Sequence, residues 1–239
     1  MDKTEIILDL IRTRRSIRRY KEGAEPIPAE DIEKILDAAR YAPSPENMQM
    51  HRFIAIRDDQ GTKEFIGKIS KEISAYVFGH VPYELTTGRL WYLPGRNRPA
   101  TFEDMKDGDL FLYPARADTV IMAMASETWH DANMLYPNDL FGSVVAGMAM
   151  IQMWLVAHSM GYAAAYQAFP FSDPRHAELI ADRLGVPRTW KPLACLCIGR
   201  PQAPRMLGPS RFPLEGIVYS ERWGVPFKRR AFSEVEEED

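Results

Sequence analysis

The chain has 239 residues, of which 46% are apolar and 26% charged, the balance of a globular protein with a sizeable core and not of a disordered or fibrous one. Thirty lysines and arginines against 33 aspartates and glutamates leave a net charge of −3, without the basic excess that gripping a nucleic acid requires. The two cysteines, Cys195 and Cys197, are too few for a disulfide framework or a cysteine-built metal site.

Asp2 and Glu5 stand at capping-box spacing and Ile7, Leu10 and Ile11 share a face, which predicts a first helix ending near Thr13. Behind it comes Arg14-Arg15-Ser16-Ile17-Arg18-Arg19-Tyr20, four arginines and a serine in seven residues. Guanidinium forks with five N–H donors each suit a phosphate and the polar edge of a ring. The other readings are a solvated basic run or a nucleic-acid patch. With a net charge of −3, the cluster is read as serving a small ligand. Pro26 and Pro28 end this extended segment. Pro28 is placed as the first residue of a helix that buries Ile32, Ile35, Leu36 and Ala39 and stops before Pro43. The loop from Ala42 to Phe53 carries Pro43, Ser44, Pro45, Asn47 and Gln49. It either presents fixed donors and acceptors to a ligand or is a plain turn into the strand Phe53–Ile56.

A helix from about Thr62 to Phe78 follows, with Phe65, Ile66, Ile69 and Ile73 on its buried side. Residues 80–117 break every period with Pro82, Gly88, Pro94, Gly95, Pro99 and Gly108, and supply Tyr83, Trp91, Tyr92, Phe102, Phe111 and Tyr113. A long irregular segment this aromatic reads as a lid over a substrate, or as packing against the body or a partner subunit. Thr119–Ala125 is a buried strand. Behind it Glu127, His130 and Asp131 lack the further ligands a metal site needs. From about Leu140 to Met160 runs a helix that is apolar almost all round and rich in small residues, stopped by Gly161. Tyr162–Gln167 is extended, and Asp173 and Pro174 open a helix through Leu184, closed by Gly185. Trp190–Ile198 is the last buried strand, where alternation puts Cys195 and Cys197 on one face as two small buried residues. Four prolines keep residues 199–213 extended, and Glu234–Asp239 is an acidic terminus. With no repeat and no linker, the expectation is one domain over residues 1–239 with a lid at about 80–117. An N-terminus without an apolar h-region, and the absence of an apolar run near the roughly 18 residues of a membrane span, predict a cytoplasmic protein with no membrane partner.

Taken in order, four blocks resemble the nitroreductase family of FMN-dependent oxidoreductases, over about Arg12 to Trp223. They are Arg14-Arg15-Ser16-Ile17-Arg18; Ala42-Pro43-Ser44-Pro45-Glu46-Asn47-Met48-Gln49; the helix end Ala157-His158-Ser159-Met160-Gly161-Tyr162; and a closing set, Leu184-Gly185-Val186-Pro187, Ile198-Gly199-Arg200-Pro201 and Arg211-Phe212-Pro213-Leu214-Glu215. The resemblance implies an α+β fold with a central mixed or antiparallel sheet flanked by helices. It also implies an intertwined homodimer with an extended C-terminal arm and FMN at the subunit interface. Arg14, Arg15, Ser16 and Arg211 would hold the FMN phosphate and ribityl chain, and Arg18 the N1/O2 edge. Pro43, Ser44 and Asn47 would reach the cofactor held mainly by the other subunit, and Ala164, Ala165 and Tyr166 would run beside N5. No side-chain nucleophile or metal is called for, because the flavin carries the chemistry.

The implied activity is hydride transfer through N5 between a donor such as NADH or NADPH and a small planar, aromatic or enone-type molecule. Tyr83, Trp91 and Tyr92 of the lid would face that substrate, and Arg89, Arg96 or Arg98 would meet a carboxylate or phosphate on it. The alternatives are a reduced-flavin-consuming, benzimidazole-forming enzyme, or a substrate-specific FMN dehydrogenase. Two departures from the family stand out: Gln49-Met50-His51 replaces a common Gln-Pro-Trp, and Ala164-Ala165 replaces a threonine found in some relatives, which tilts the reading towards two-electron transfer. The lid lacks the Glu-x3-Tyr…Lys pattern of halotyrosine-binding relatives, so dehalogenation is unsupported. There is no Gly-x-Gly-x-x-Gly, so nothing in the sequence selects NADH over NADPH.

Overall fold

The computed structural model describes residues 2–80, 103–126, 140–203 and 211–227. The elements are α1 (Lys3–Thr13), α2 (Ala29–Ala39), β1 (His51–Ile56), α3 (Gln60–Gly79), α4 (Tyr113–Arg116), β2 (Thr119–Ser126), α5 (Leu140–Ser159), β3 (Ala163–Gln167), α6 (Pro174–Arg183) and β4 (Trp190–Gly199). The four strands form one antiparallel sheet in the order β1-β2-β4-β3. Its two central strands are covered on both faces, which is why they read as continuous apolar runs instead of alternating ones. On one face Val120, Met122, Met124, Cys195 and Cys197 pack with Ile66 and Ile69 of α3 and Ile180 of α6. On the other, Ile121, Ala123, Leu196 and Ile198 pack with Ile35 of α2 and with Ala149 and Met153 of α5. The two cysteine Sγ atoms lie 3.8 Å apart, buried on one face as the alternation predicts.

Several boundaries differ from the sequence expectation for identifiable reasons. Asp2 flanks α1 in extended conformation but its side chain makes no capping bond. Pro28 precedes the first residue of α2 instead of occupying it. α3 begins at Gln60 because the Asp59 carboxylate accepts the Thr62 N–H at 2.9 Å. β1 starts at His51, two residues early, where its ladder to β2 begins. The last part of the 80–117 segment belongs to the body: Phe111 and Tyr113 are buried in the core, and α4 packs against Gly67 of α3 closely enough that a Cβ there would stand 3.0 Å from the Ala115 Cβ. Residues 81–102, with Tyr83, Arg89, Trp91, Tyr92, Arg96 and Arg98, lie outside the described residues, as do Glu127–Asp131 and Glu234–Asp239.

One expectation is corrected by α5. Its stretch Gly142–Ser159 is long and apolar enough, by length and composition, to cross a membrane. In the fold it buries Ala146, Ala149 and Met153 in the core beneath the sheet. The opposite stripe, with Val144 and Ile151, stays exposed. Helix α1 buries no residue at all, and Ile6, Ile7 and Ile11 on it are exposed.

Candidate cofactor site

The arginine segment is laid along the free edge of β3. Ser16 bridges Ala164 in parallel and the Ile17 N–H donates to the Ala164 carbonyl at 3.0 Å. This parallel bridge is isolated and lies outside the sheet, whose ladders are all antiparallel. Further along, Tyr20 bridges Pro201, the Lys21 N–H donates to the Arg200 carbonyl at 2.9 Å, and the Gln202 N–H to the Arg19 carbonyl at 3.2 Å. Tyr20 locks this crossing: its hydroxyl donates to the Cys197 carbonyl at 3.0 Å and its ring lies over Gly199, where a Cβ would come within 2.6 Å of Cδ1. Only glycine leaves room for that approach.

Arg14, Arg15, Ser16 and Arg18 are thereby brought beside Ala164, Ala165 and Tyr166. The two alanines are fully buried and offer the site their backbone alone, whereas the Tyr166 side chain is exposed. Because the Ala164 carbonyl faces the arginine segment, the two-residue alternation turns the Tyr166 backbone to the same edge. The Tyr113 hydroxyl meets it there, donating to the Tyr166 carbonyl at 2.5 Å.

Each arginine is supported by its surroundings. The Arg14 guanidinium stacks 4.1 Å from the Trp154 ring centroid, and Arg18 stands 5.7 Å from that of Tyr113. Arg15 Nη1 donates to the Arg12 and Arg14 carbonyls at 2.6 and 2.8 Å. Arg14 is held below the usual arginine pKa, first by burial and then by the like charges of Arg211 and Arg15. Arg211 therefore joins the cluster from the far end of the sequence. Among the described residues, Arg14 Nη1, Arg15 Nε and Arg18 Nε are enclosed without a hydrogen-bond partner. Gathered cations with enclosed, unused donors cost free energy unless an anion completes them. This donor set fits a phosphate, and with it the phosphate of FMN.

Pro43, Ser44 and Asn47 are not brought to this cluster. Their loop holds a 3₁₀ turn, Pro45–Asn47, and is tied to itself: Ser44 Oγ accepts the Gln49 N–H at 3.0 Å and Gln49 Nε2 donates to Asn47 Oδ1 at 3.2 Å. Glu46, Asn47 and Gln49 adopt left-handed φ values of 50°, 57° and 48°, which side-chain-bearing residues enter at a cost. The loop feeds His51, which is level with Lys191 at the start of β4, while Ser16 lies beyond β3, level with Ile198 near its end. Strand spacing and rise put these two corners on the order of 25–30 Å apart. Helix α5 also stands between them. Gln152 Nε2 donates to the Tyr41 carbonyl on one side, and Trp154, some 200° further round the helix, carries Arg14 on the other. Met50 and His51, which close this loop, are both buried.

Three supporting residues escape sequence reasoning. Trp154 sits inside an apolar helix, Tyr113 inside an irregular aromatic segment, and His158 inside a motif that gives it no role. His158 Nε2 lies 2.9 Å from Thr13 Oγ1, joining the ends of α1 and α5 behind the arginines. Both His158 and His51 are held below the usual histidine pKa. Burial is the main cause at each; Arg14 and Arg15 add to it at His158, and Arg52 adds to it at His51 against a hydrogen bond with the Ala39 backbone. Such a histidine stays neutral in the fold while the unfolded chain takes up a proton. Its contribution is thus complete above the ordinary value of about 6.5 and drains away as pH falls towards the lowered values. The melting temperature of the FMN-free protein is expected to drop between pH 7 and pH 5, and the H51Q/H158Q double variant to flatten that slope. An equally steep slope in the double variant would contradict the assignment. Asp173, held at about 2 by the Arg175 side chain and backbone, begins to lose its contribution only well below this window.

The nitroreductase family model matches residues 11–200. The chain belongs to the nitroreductase family. This nitroreductase-family chain is 28% identical over 221 residues to the FMN reductase [NAD(P)H] of Bacillus subtilis, an alignment covering 91% of this chain and 74% of that one. A shorter stretch of 77 residues is 46% identical to an Archaeoglobus fulgidus protein named for NADH dehydrogenase/NAD(P)H nitroreductase activity, and spans 32% of this chain and 39% of that relative. In three dimensions the fold matches the NADPH:FMN oxidoreductase of Vibrio harveyi, solved with NAD+, at a TM-score of 0.63 and 20% identity, covering 90% of this chain and 77% of that one. In this chain the nitroreductase-like fold takes the form of helices around a four-stranded antiparallel sheet.

Proposed function

We propose that this nitroreductase-family chain is an FMN-dependent oxidoreductase that moves a hydride between NADH or NADPH and a small planar organic substrate. One observation carries the reading: Arg14, Arg15 and Arg18 gather enclosed, partnerless donors on the edge of β3, the donor set a dianionic phosphate and a polar ring edge complete. The names of the Bacillus subtilis and Vibrio harveyi relatives, an FMN reductase and an NADPH:FMN oxidoreductase, support the choice of cofactor and donor.

Bound FMN supplies hydride transfer at N5. The protein supplies position and charge. Arg14, Arg15, Ser16 and Arg211 hold the phosphate and ribityl chain. Arg18 sets a positive charge at the N1/O2 edge, where electron density gathers on reduction. Ala164, Ala165 and Tyr166 line the N5 side with backbone, and no side-chain nucleophile takes part. Tyr83, Trp91, Tyr92 and Arg96 cover and select the substrate. The protein works in the cytoplasm as a homodimer.

The separation of Pro43, Ser44 and Asn47 from the arginines supports that homodimer, because a second copy can bring its loop to a cofactor which one subunit's loop does not reach. The exposed apolar residues of α1 and α5 give the pair a surface to bury. Phe212, Ile217 and Trp223, exposed along the segment after Arg211, suit an arm wrapped over the partner. The test is anaerobic: the FMN-loaded protein should lose its visible absorbance on adding NADH or NADPH and regain it on adding a nitroaromatic or quinone. A loaded protein that neither donor bleaches would refute the activity.

A further inference from the structure

Tyr113 touches two of the proposed cofactor contacts at once, although it lies in a part of the chain that sequence reasoning assigns to a lid. Its side chain is 1% exposed. Its ring faces the Arg18 guanidinium at 5.7 Å, and its hydroxyl donates to the Tyr166 carbonyl at 2.5 Å. The base beneath it is firm. Tyr113 opens α4 with Pro114 behind it, and α4 packs on Gly67 of α3. Burial raises the Tyr113 pKa well above the usual tyrosine value while the charge of Arg18 pulls the other way, so the hydroxyl keeps its proton and stays a donor. Within the described residues Arg18 Nε has no protein partner, and Tyr113 meets this guanidinium with both its ring face and its hydroxyl.

We propose that Tyr113 is a positioning residue of the cofactor site: its ring aims Arg18 while its hydroxyl pins the backbone of Tyr166, so that the charge and the β3 edge keep a fixed spacing. This rests on the reading of Arg18 and Tyr166 as FMN contacts. The two jobs separate by substitution. Y113F keeps the ring over Arg18 and removes the hydroxyl's contacts with Tyr166 and Arg18; Y113M, a flexible side chain that fills irregular space, removes the ring as well.

In Y113F, oxidised and reduced FMN are expected to bind within about threefold of wild type. Misplacing the β3 edge by a fraction of an ångström should cut kcat about tenfold with KM unchanged. In Y113M, reduced FMN should lose about tenfold more affinity than oxidised FMN, a fall in midpoint potential of about 30 mV for a two-electron couple. The readouts are FMN titration by fluorescence quenching, a dye-equilibrated reductive titration, and the melting temperature. A purely structural tyrosine would lower the melting temperature in both variants while the potential and the kcat-to-KM split stayed at wild-type values, and that result overturns the proposal. Should Y113M fail to fold, Y113F decides: unchanged kcat overturns it, and a loss confined to kcat upholds it. Wild-type protein that takes up no FMN overturns the cofactor reading and this inference together, whereas FMN-loaded wild type with unaffected variants overturns this inference alone.

Discussion

The R14A/R15A double variant is expected to fold normally and to purify colourless. Each charge-assisted hydrogen bond to a phosphate is worth about 1.5–3 kcal/mol. Two together are worth roughly 3–6 kcal/mol, a 10²- to 10⁴-fold loss of FMN affinity. The fold should hardly suffer. Arg14 is desolvated beside Arg211 and Arg15, and removing crowded like charges relieves repulsion in the empty site. Against that stand, among the described residues, the two carbonyl bonds of Arg15 Nη1 and the stacking of Arg14 on Trp154. FMN affinity read by fluorescence quenching should collapse while the melting temperature of the FMN-free protein holds steady or rises. The opposite pattern, a lower melting temperature with FMN affinity kept, would make these arginines structural and remove the basis for the cofactor site.

The second large effect is expected from α5. V144E/I151E places two carboxylates on the apolar stripe that α5 turns away from its own core, where both residues are exposed in the single chain, Ile151 at 39% and Val144 at 47%. In a monomer such changes are nearly neutral, because surface substitutions away from special features rarely exceed half a kcal/mol or so. At the centre of a two-fold interface each appears twice and leaves buried, unpaired charges, which cost several kcal/mol. If the proposed homodimer is built on this stripe, the variant should run as a monomer by light scattering and lose its FMN, because the contacts proposed for the partner's Pro43, Ser44 and Asn47 would go with the dimer. A dimer that survives with FMN in place would move the interface off this stripe.

Much of the fold is legible in the chain because local rules agree with the final packing. The spacing of Ile32, Ile35 and Ala39 gives α2, and Asp173-Pro174 and Gly185 bracket α6. The continuous apolar runs of β2 and β4 correspond to strands covered on both faces. What stays hidden is long-range pairing. Nothing near Arg14–Tyr20 announces that its backbone bonds go to Ala164 and Arg200, so the segment reads as loose extended chain when it is bridged to the edge of the sheet. The supports of the arginines are hidden for the same reason: Trp154 and Tyr113 look like core and lid aromatics until the fold sets them under guanidinium groups. The apolar character of α5 is plain, but its two faces are not, because a helix apolar all round gives no moment to show which stripe the core takes.

Native mass spectrometry of the protein mixed with FMN tests the central claim most directly, since it reads chain number and cofactor number in one spectrum. The account predicts a species of two chains carrying two FMN, with R14A/R15A giving two chains and none. A single chain that stays free of FMN in excess cofactor, or one that binds FMN alone without pairing, would contradict it.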